Sequence, residues 1–85
     1  MKQNSIKIVQ GRLLRIEGQV RGLMQMIDND RDSKEVLTLL SAVRAALDSV
    51  GSIVISDHIE EISGSAELSP EVRNALKAML KTFLR

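Results

Sequence analysis

Few residues in this 85-residue chain could do chemistry, and most of them are basic. There is one histidine, His58, and the chain has no cysteine, tryptophan or tyrosine. Without cysteine there can be no disulfide, thiolate metal site or cysteine nucleophile. Glu60 and Glu61 are adjacent, so on a helix they point about 100° apart and cannot form a facing carboxylate pair. No glycine-rich phosphate loop is present, and nothing brings a serine to His58. The residues therefore read against an enzyme, and no cofactor is expected. His58 continues an apolar stripe after Val54, and its neighbour one turn on is Ile62, which coordinates nothing. It reads as a packed or hydrogen-bonded histidine rather than a ligand.

The basic residues form a pattern. Lys2, Lys7, Arg12, Arg15 and Arg21 crowd the first 21 positions against the single acid Glu17, whereas residues 57–71 carry Asp57, Glu60, Glu61, Glu67 and Glu71. A net charge of +1 hides this segregation. Lys7, Arg12, Arg15 and Arg21 suit phosphate contact, since each cation can neutralise a backbone charge and release counterions. For any one of them alone, a solvated helix surface is the simpler reading. No aromatic side chain is interleaved with them, so stacking on single strands is not expected. No recognition-helix motif is visible, so readout would lean on DNA shape as much as on base edges. On the back of the same segment Gly11, Gly18 and Gly22 share a face, where each glycine costs about 0.5–1 kcal/mol relative to alanine. Two readings stay open: tight helix packing in an oligomer, or a DNA backbone lying across the flanking arginines.

The elements that must carry these residues are helices. Ile6, Val9, Leu13, Ile16, Val20, Leu23 and Ile27 alternate spacings of three and four, which predicts a first helix from about Ser5 to Asp28 with a coiled-coil-like seam. Asp28-Asn29-Asp30-Arg31-Asp32 breaks it. Asp32 with Glu35 reads as a capping box opening a second helix to about Ile62. Its stripe of Val36, Leu40, Val43, Leu47, Val50 and Val54 is widened by Leu37, Leu39, Ala42, Ala45, Ala46 and Ile53. A helix apolar over more than one face must be covered on more than one side, and so short a chain has too little else, so other subunits are expected to cover it. Ser63-Gly64-Ser65-Ala66 reads as a loop. Ser69-Pro70-Glu71 starts a third helix bearing Val72, Leu76, Met79 and Phe83. The expectation is one all-α domain over residues 1–85. The N-terminus does not look like a signal region, and no continuous run approaches the roughly 18 apolar residues of a membrane span. The cytoplasm is the default location and no membrane partner is expected.

Two stretches together resemble the CsoR/RcnR/FrmR family of bacterial metal and stress sensors. They are Gly11-Arg12-Leu13-Leu14-Arg15-Ile16-Glu17-Gly18-Gln19-Val20-Arg21-Gly22 and Val36-Leu37-Thr38-Leu39-Leu40-Ser41-Ala42-Val43-Arg44-Ala45-Ala46-Leu47, with Asp57-His58 following. The resemblance covers about residues 6–62. It implies a three-helix protomer, an antiparallel four-helix-bundle dimer and a dimer-of-dimers tetramer. It also implies a repressor that binds double-stranded operator DNA and releases it on meeting an inducer. Arg12 and Arg15 match basic DNA-contacting positions, and Arg44 a basic position that supports binding. Copper-type members place Cys, His and Cys across the dimer interface, where this chain has Ser33, His58 and Ile62. Nickel and cobalt members add an N-terminal histidine where Gln3 stands. Formaldehyde members use an N-terminal proline with the cysteine, here Lys2 and Ser33, and persulfide members need two cysteines. The resemblance thus implies a repressor whose sensor is altered or lost, with no metal site and its small-molecule inducer left open. The competing reading is a helical, oligomeric protein-interaction module with no role on DNA.

Overall fold

The computed structural model describes residues 1–63 and 69–83, except for the side chains at positions 62, 63 and 72. Three helices account for nearly all of them: α1 over Gln3–Asp28, α2 over Ser33–Ser63 and α3 over Pro70–Phe83. The loop expected at Ser63–Ala66 lies, from residue 64 on, outside the described residues. There are no strands among the described residues.

Helices α1 and α2 form an antiparallel hairpin whose register is read from three contacts. Ser5 meets Asp57, Arg12 meets Ser49, and Gly22 meets Leu39. The turn between them is a Schellman motif. The Arg31 N–H donates to the Met26 carbonyl at 2.9 Å and the Asp30 N–H to that of Ile27 at 3.1 Å. Asp30 takes the left-handed position with φ of 51°, which short polar side chains tolerate better than most. The capping box expected at the start of α2 is not formed. Glu35 instead accepts from the Arg31 guanidinium, at 3.0 Å from Nε and 2.9 Å from Nη2, because that cation is one helical turn away and brings charge to the bond.

The first-helix seam is divided between two tasks. Ile16 is buried, at 6% exposure, against α2, with Val9 and Leu23 half-buried on the same line. Leu13, Val20 and Ile27 are exposed. Among the described side chains of α2, Val43 is the one buried apolar residue, while Leu37, Leu40 and Leu47 stay exposed. The molecule measures 54 × 27 × 13 Å with a radius of gyration of 17.0 Å, against about 12 Å for a compact chain of this length. It is a single layer of helices with α2 in the middle, flanked by α1 and α3.

The α3 contact centres on Gly51, where an added Cβ would overlap the Phe83 ring. Arg44, Gly51 and His58 recur every seven residues, so Phe83 sits two turns from each neighbour in that row. Helix α2 also corrects one expectation. Within Ser33–Glu61 lies a window long and apolar enough, by length and composition only, to cross a membrane. The central helix of a bundle carries the same signature.

Candidate nucleic-acid interface and sensor positions

Arg12, Arg15 and Gln19 follow one another on the α1 face that borders α2, on one side of the line through Val9, Ile16 and Leu23. The exposed Leu13, Val20 and Met24 lie on the other side of that line. The chain thus has a mainly basic, polar side, on which Ile8 is also exposed, and an apolar side. Arg12 and Arg15 line one cleft of about 200 Å³ with Ile16, Gln19 and Ala46. Arg12 also borders a second cleft of about 300 Å³ floored by Ser49, Ser52, Ser56 and Asp57. Small α2 residues leave this groove open between the helices.

The five basic positions singled out from the sequence are not one cluster. Arg12 donates from Nη1 to Ser49 Oγ at 2.9 Å. Arg15 lies one turn away and, among the described residues, has no hydrogen-bond or ion-pair partner. Arg21 is held by Glu17 at 2.8 Å. Lys7 is exposed on the outer face, near the glycine face rather than beside Arg12. Arg44 lies one turn from both Leu40 and Leu47, so it rises from the apolar side of α2 and not from the groove.

The glycine face decides between its two readings only in part. Gly22 faces Leu39 Cδ2 at 3.8 Å, an ordinary contact, whereas Gly11 meets open space and Gly18 meets only the Arg21 guanidinium. Packing within the chain therefore accounts for one glycine of the three.

The sensor positions are far apart. Ser33 is the first residue of α2 and His58 lies near its other end. Their separation of 25 residues on one helix spans roughly 38 Å. The side chain of Ile62 lies outside the described residues. His58 Nδ1 lies 3.8 Å from Glu61 Oε2. Among the described residues, no three His, Asp or Glu side chains converge as a metal site.

A clasp between the chain's N-terminal residues and the C-terminal end of α2 was not anticipated. Asp57, only 3% exposed, accepts from Ser5 Oγ at 2.9 Å and from the Lys2 backbone N–H at 3.3 and 3.4 Å. Lys2 Nζ pairs with Glu60, and the Met1 ammonium with Glu61 at 2.9 Å. Burial works to raise the Asp57 pKa. The Ser5 hydroxyl, the Lys2 N–H and the nearby positive charges outweigh it, so the carboxyl is held below its ordinary value. The Met1 amine is raised by its hydrogen bond to Glu61, and Lys2 by its bond to Glu60. Helix α1 has no acid in its first turn and no side-chain cap, so Asp57 supplies the negative charge its dipole favours there. The opposite charges of residues 1–21 and 57–71 were the available signal.

Comparison with known proteins agrees with this architecture and with the sequence resemblance. The chain is 37% identical over 75 residues to the copper-sensing transcriptional repressor CsoR of Bacillus subtilis (strain 168), covering 88% of this chain and 74% of that protein. Its fold matches the nickel-responsive transcriptional regulator InrS with a TM-score of 0.80 and 35% identity, over 98% of this chain and 97% of that one. A variant of the formaldehyde-responsive regulator FrmR from Salmonella enterica serovar Typhimurium matches with a TM-score of 0.75 and 26% identity, over 99% and 94% of the two chains. Residues 5–85 match the family described as metal-sensitive transcriptional repressors, and the chain belongs to that family.

Proposed function

We propose that this chain is a cytoplasmic repressor that binds double-stranded operator DNA as a homo-oligomer and carries an altered or lost metal sensor. The observation that carries the reading is the two-sidedness of the helical layer. Arg12 and Arg15 stand together along a polar groove, and an apolar surface with Leu13, Val20, Leu40 and Leu47 exposed lies on the other side. With only two buried apolar side chains among the described residues, the chain needs further copies to complete a core. The family resemblance supports an antiparallel four-helix-bundle dimer that pairs into a tetramer. Lys7 and Arg44 join the DNA surface only when several chains assemble, because within one chain they face away from the groove; Arg21 contributes once it leaves Glu17.

Relatives are named for copper and nickel sensing, but the donors here do not fit a metal. Ser33 offers a hydroxyl, His58 one imidazole and Ile62 nothing, whereas Cu(I) is selected by thiolates and Zn(II) takes four matched ligands. The test has two arms. A duplex from upstream of the chain's own gene, titrated at increasing salt, should bind with affinity that falls linearly on a logarithmic plot. Salt-independent or absent binding would refute the repressor and favour the interaction module that the exposed apolar surface also suits. Calorimetric titration with Cu(I), Ni(II) and Zn(II) should show no tight site. A dissociation constant below about a micromolar (roughly −8 kcal/mol) that vanishes in His58→Ala would restore the metal sensor.

A further inference from the structure

The cleft that holds Arg12 and Arg15 has an apolar neighbour nearer the α1–α2 turn. Asp32, Lys34, Glu35, Thr38, Leu39 and Ala42 line a cleft of about 470 Å³ whose surface is almost all carbon, so the charged residues meet it with their stems. The two clefts follow one another along the same side of the hairpin. On α2, Ala42 of the apolar cleft is one turn from Ala46 of the basic one. On α1, Gly22 comes one turn after Gln19 and faces Leu39. The level of Gly22 and Leu39 is therefore two turns, about 10 Å, from that of Arg15 and Ala46. The ends differ in charge. Arg15 has no partner among the described residues and Arg12 engages only Nη1, and no carboxylate lines their cleft. At the turn end Lys34 is offset by Asp32 and Glu35.

We propose that this groove binds a free medium-chain fatty acid as its carboxylate, with the head group on Arg12 and Arg15 and the alkyl chain lying along Ala46 and Ala42 to the cleft at Leu39. A guanidinium only donates and a carboxylate only accepts, so the head group needs no proton, and the pair forms charge-assisted bonds. The charge difference sets the direction: the turn end, where acids offset Lys34, takes the tail. An extended chain advances about 1.2 Å per bond, so roughly eight or nine bonds cover the distance, which is an acid of about ten carbons. The consequence for regulation rests on the repressor reading. A carboxylate held by Arg12 and Arg15 removes both from the DNA surface, so the acid acts as a releasing signal at the groove, independently of Ser33 and His58.

The experiment titrates the full chain by calorimetry with butyrate, hexanoate, octanoate and decanoate, all below micelle-forming concentrations, and with 1-decanol as the uncharged control. Decanoate should bind saturably, one per chain, and affinity should rise with length by up to about fourfold per methylene. Decanol should bind about tenfold or more weakly than decanoate, the scale of a hydrogen bond to a charged group. Arg15→Ala should erase the preference for decanoate over decanol. Ala42→Phe should erase the gain from butyrate to decanoate; Ala42 is exposed, so the change leaves the hairpin core alone. Decanol binding as tightly as decanoate, affinity independent of length, or variants that bind as wild type does would overturn the site. So would the absence of saturable binding, the result expected if a further copy of the chain fills the groove. DNA release is measured separately, by anisotropy. Release by decanoate that is lost in Ala42→Phe supports the regulatory step, and no release overturns it. A failure to bind DNA without any acid would count against the repressor reading, while calorimetry alone decides the fatty-acid site.

Discussion

Arg15→Ala is the cleanest perturbation of the groove, because Arg15 is exposed and has no partner within the described residues. Folding should hardly notice the change, since exposed substitutions away from special contacts stay within about 0.5 kcal/mol. Operator affinity should notice it in a specific way. Each phosphate contact contributes about 0.9 to the slope of log affinity against log salt, so a dimer losing two should lose roughly 1.8. Raising salt from about 50 to about 200 mM weakens binding by roughly 3.5-fold per contact, so the dimeric variant should lose roughly 12-fold less of its affinity over that interval than wild type. Arg12→Ala should flatten the slope equally. It should also cost up to about 1 kcal/mol of stability, because it removes the bond to Ser49. The assay is fluorescence anisotropy over a salt series, with thermal denaturation in parallel. Unchanged slopes in both variants would show that the groove does not touch DNA. A large loss of stability in Arg15→Ala would show that Arg15 is structural.

Three other outcomes follow from the described contacts. Because Asp57 is held below its ordinary pKa, its contribution to stability is complete above the ordinary carboxylate value and is lost as pH falls through the lowered one. Asp57→Asn should therefore reduce stability at neutral pH and flatten the acid limb of a stability–pH curve, and an acid limb identical to wild type would exclude the clasp. Asp30→Gly should raise stability by up to about 1 kcal/mol and Asp30→Val lower it by about 1–2 kcal/mol, because residue 30 has positive φ; chemical denaturation that ranks the two in reverse would refute the turn. Gly51→Ala should strengthen α2 by about 0.5–1 kcal/mol while pushing Phe83 from its seat, so that α3 amides exchange faster as the midpoint of α2 rises. Unchanged α3 protection would mean that the seat does not hold it.

Legibility in the sequence followed the range of the signal. Both ends of α1 and α2 and the start of α3 lie within two residues of those expected, because heptad spacing, Pro70 and the Asp28–Asp32 break are local signals. The family was legible from two contiguous motifs. What escaped was set by contacts far apart in the chain. Asp57 gathers donors from Ser5 and Lys2, more than 50 positions away; only the segregation of charge hinted at them. Gly51 was not singled out in the sequence, because its purpose, a place for the lone aromatic side chain, lies in another helix. Glu35 was assigned to a cap from a three-residue spacing, and Arg31 took it because a charged neighbour outcompetes a backbone N–H. The seam divided because periodicity shows that a face is apolar and not which partner covers it.

The turn at Asp30 also governs which chain α1 packs upon. Only positions 29–32 separate α1 from α2, and one left-handed residue reverses the direction there. Were positions 29–32 all to take right-handed helical angles, the two helices would fuse into one rod of about 60 residues, roughly 90 Å long. Every α1–α2 contact would then be remade against another rod rather than within the hairpin. Exchange of α1 between copies thus needs little beyond the dihedrals of one short turn, and how well residue 30 tolerates positive φ sets how tightly each chain keeps its own first helix.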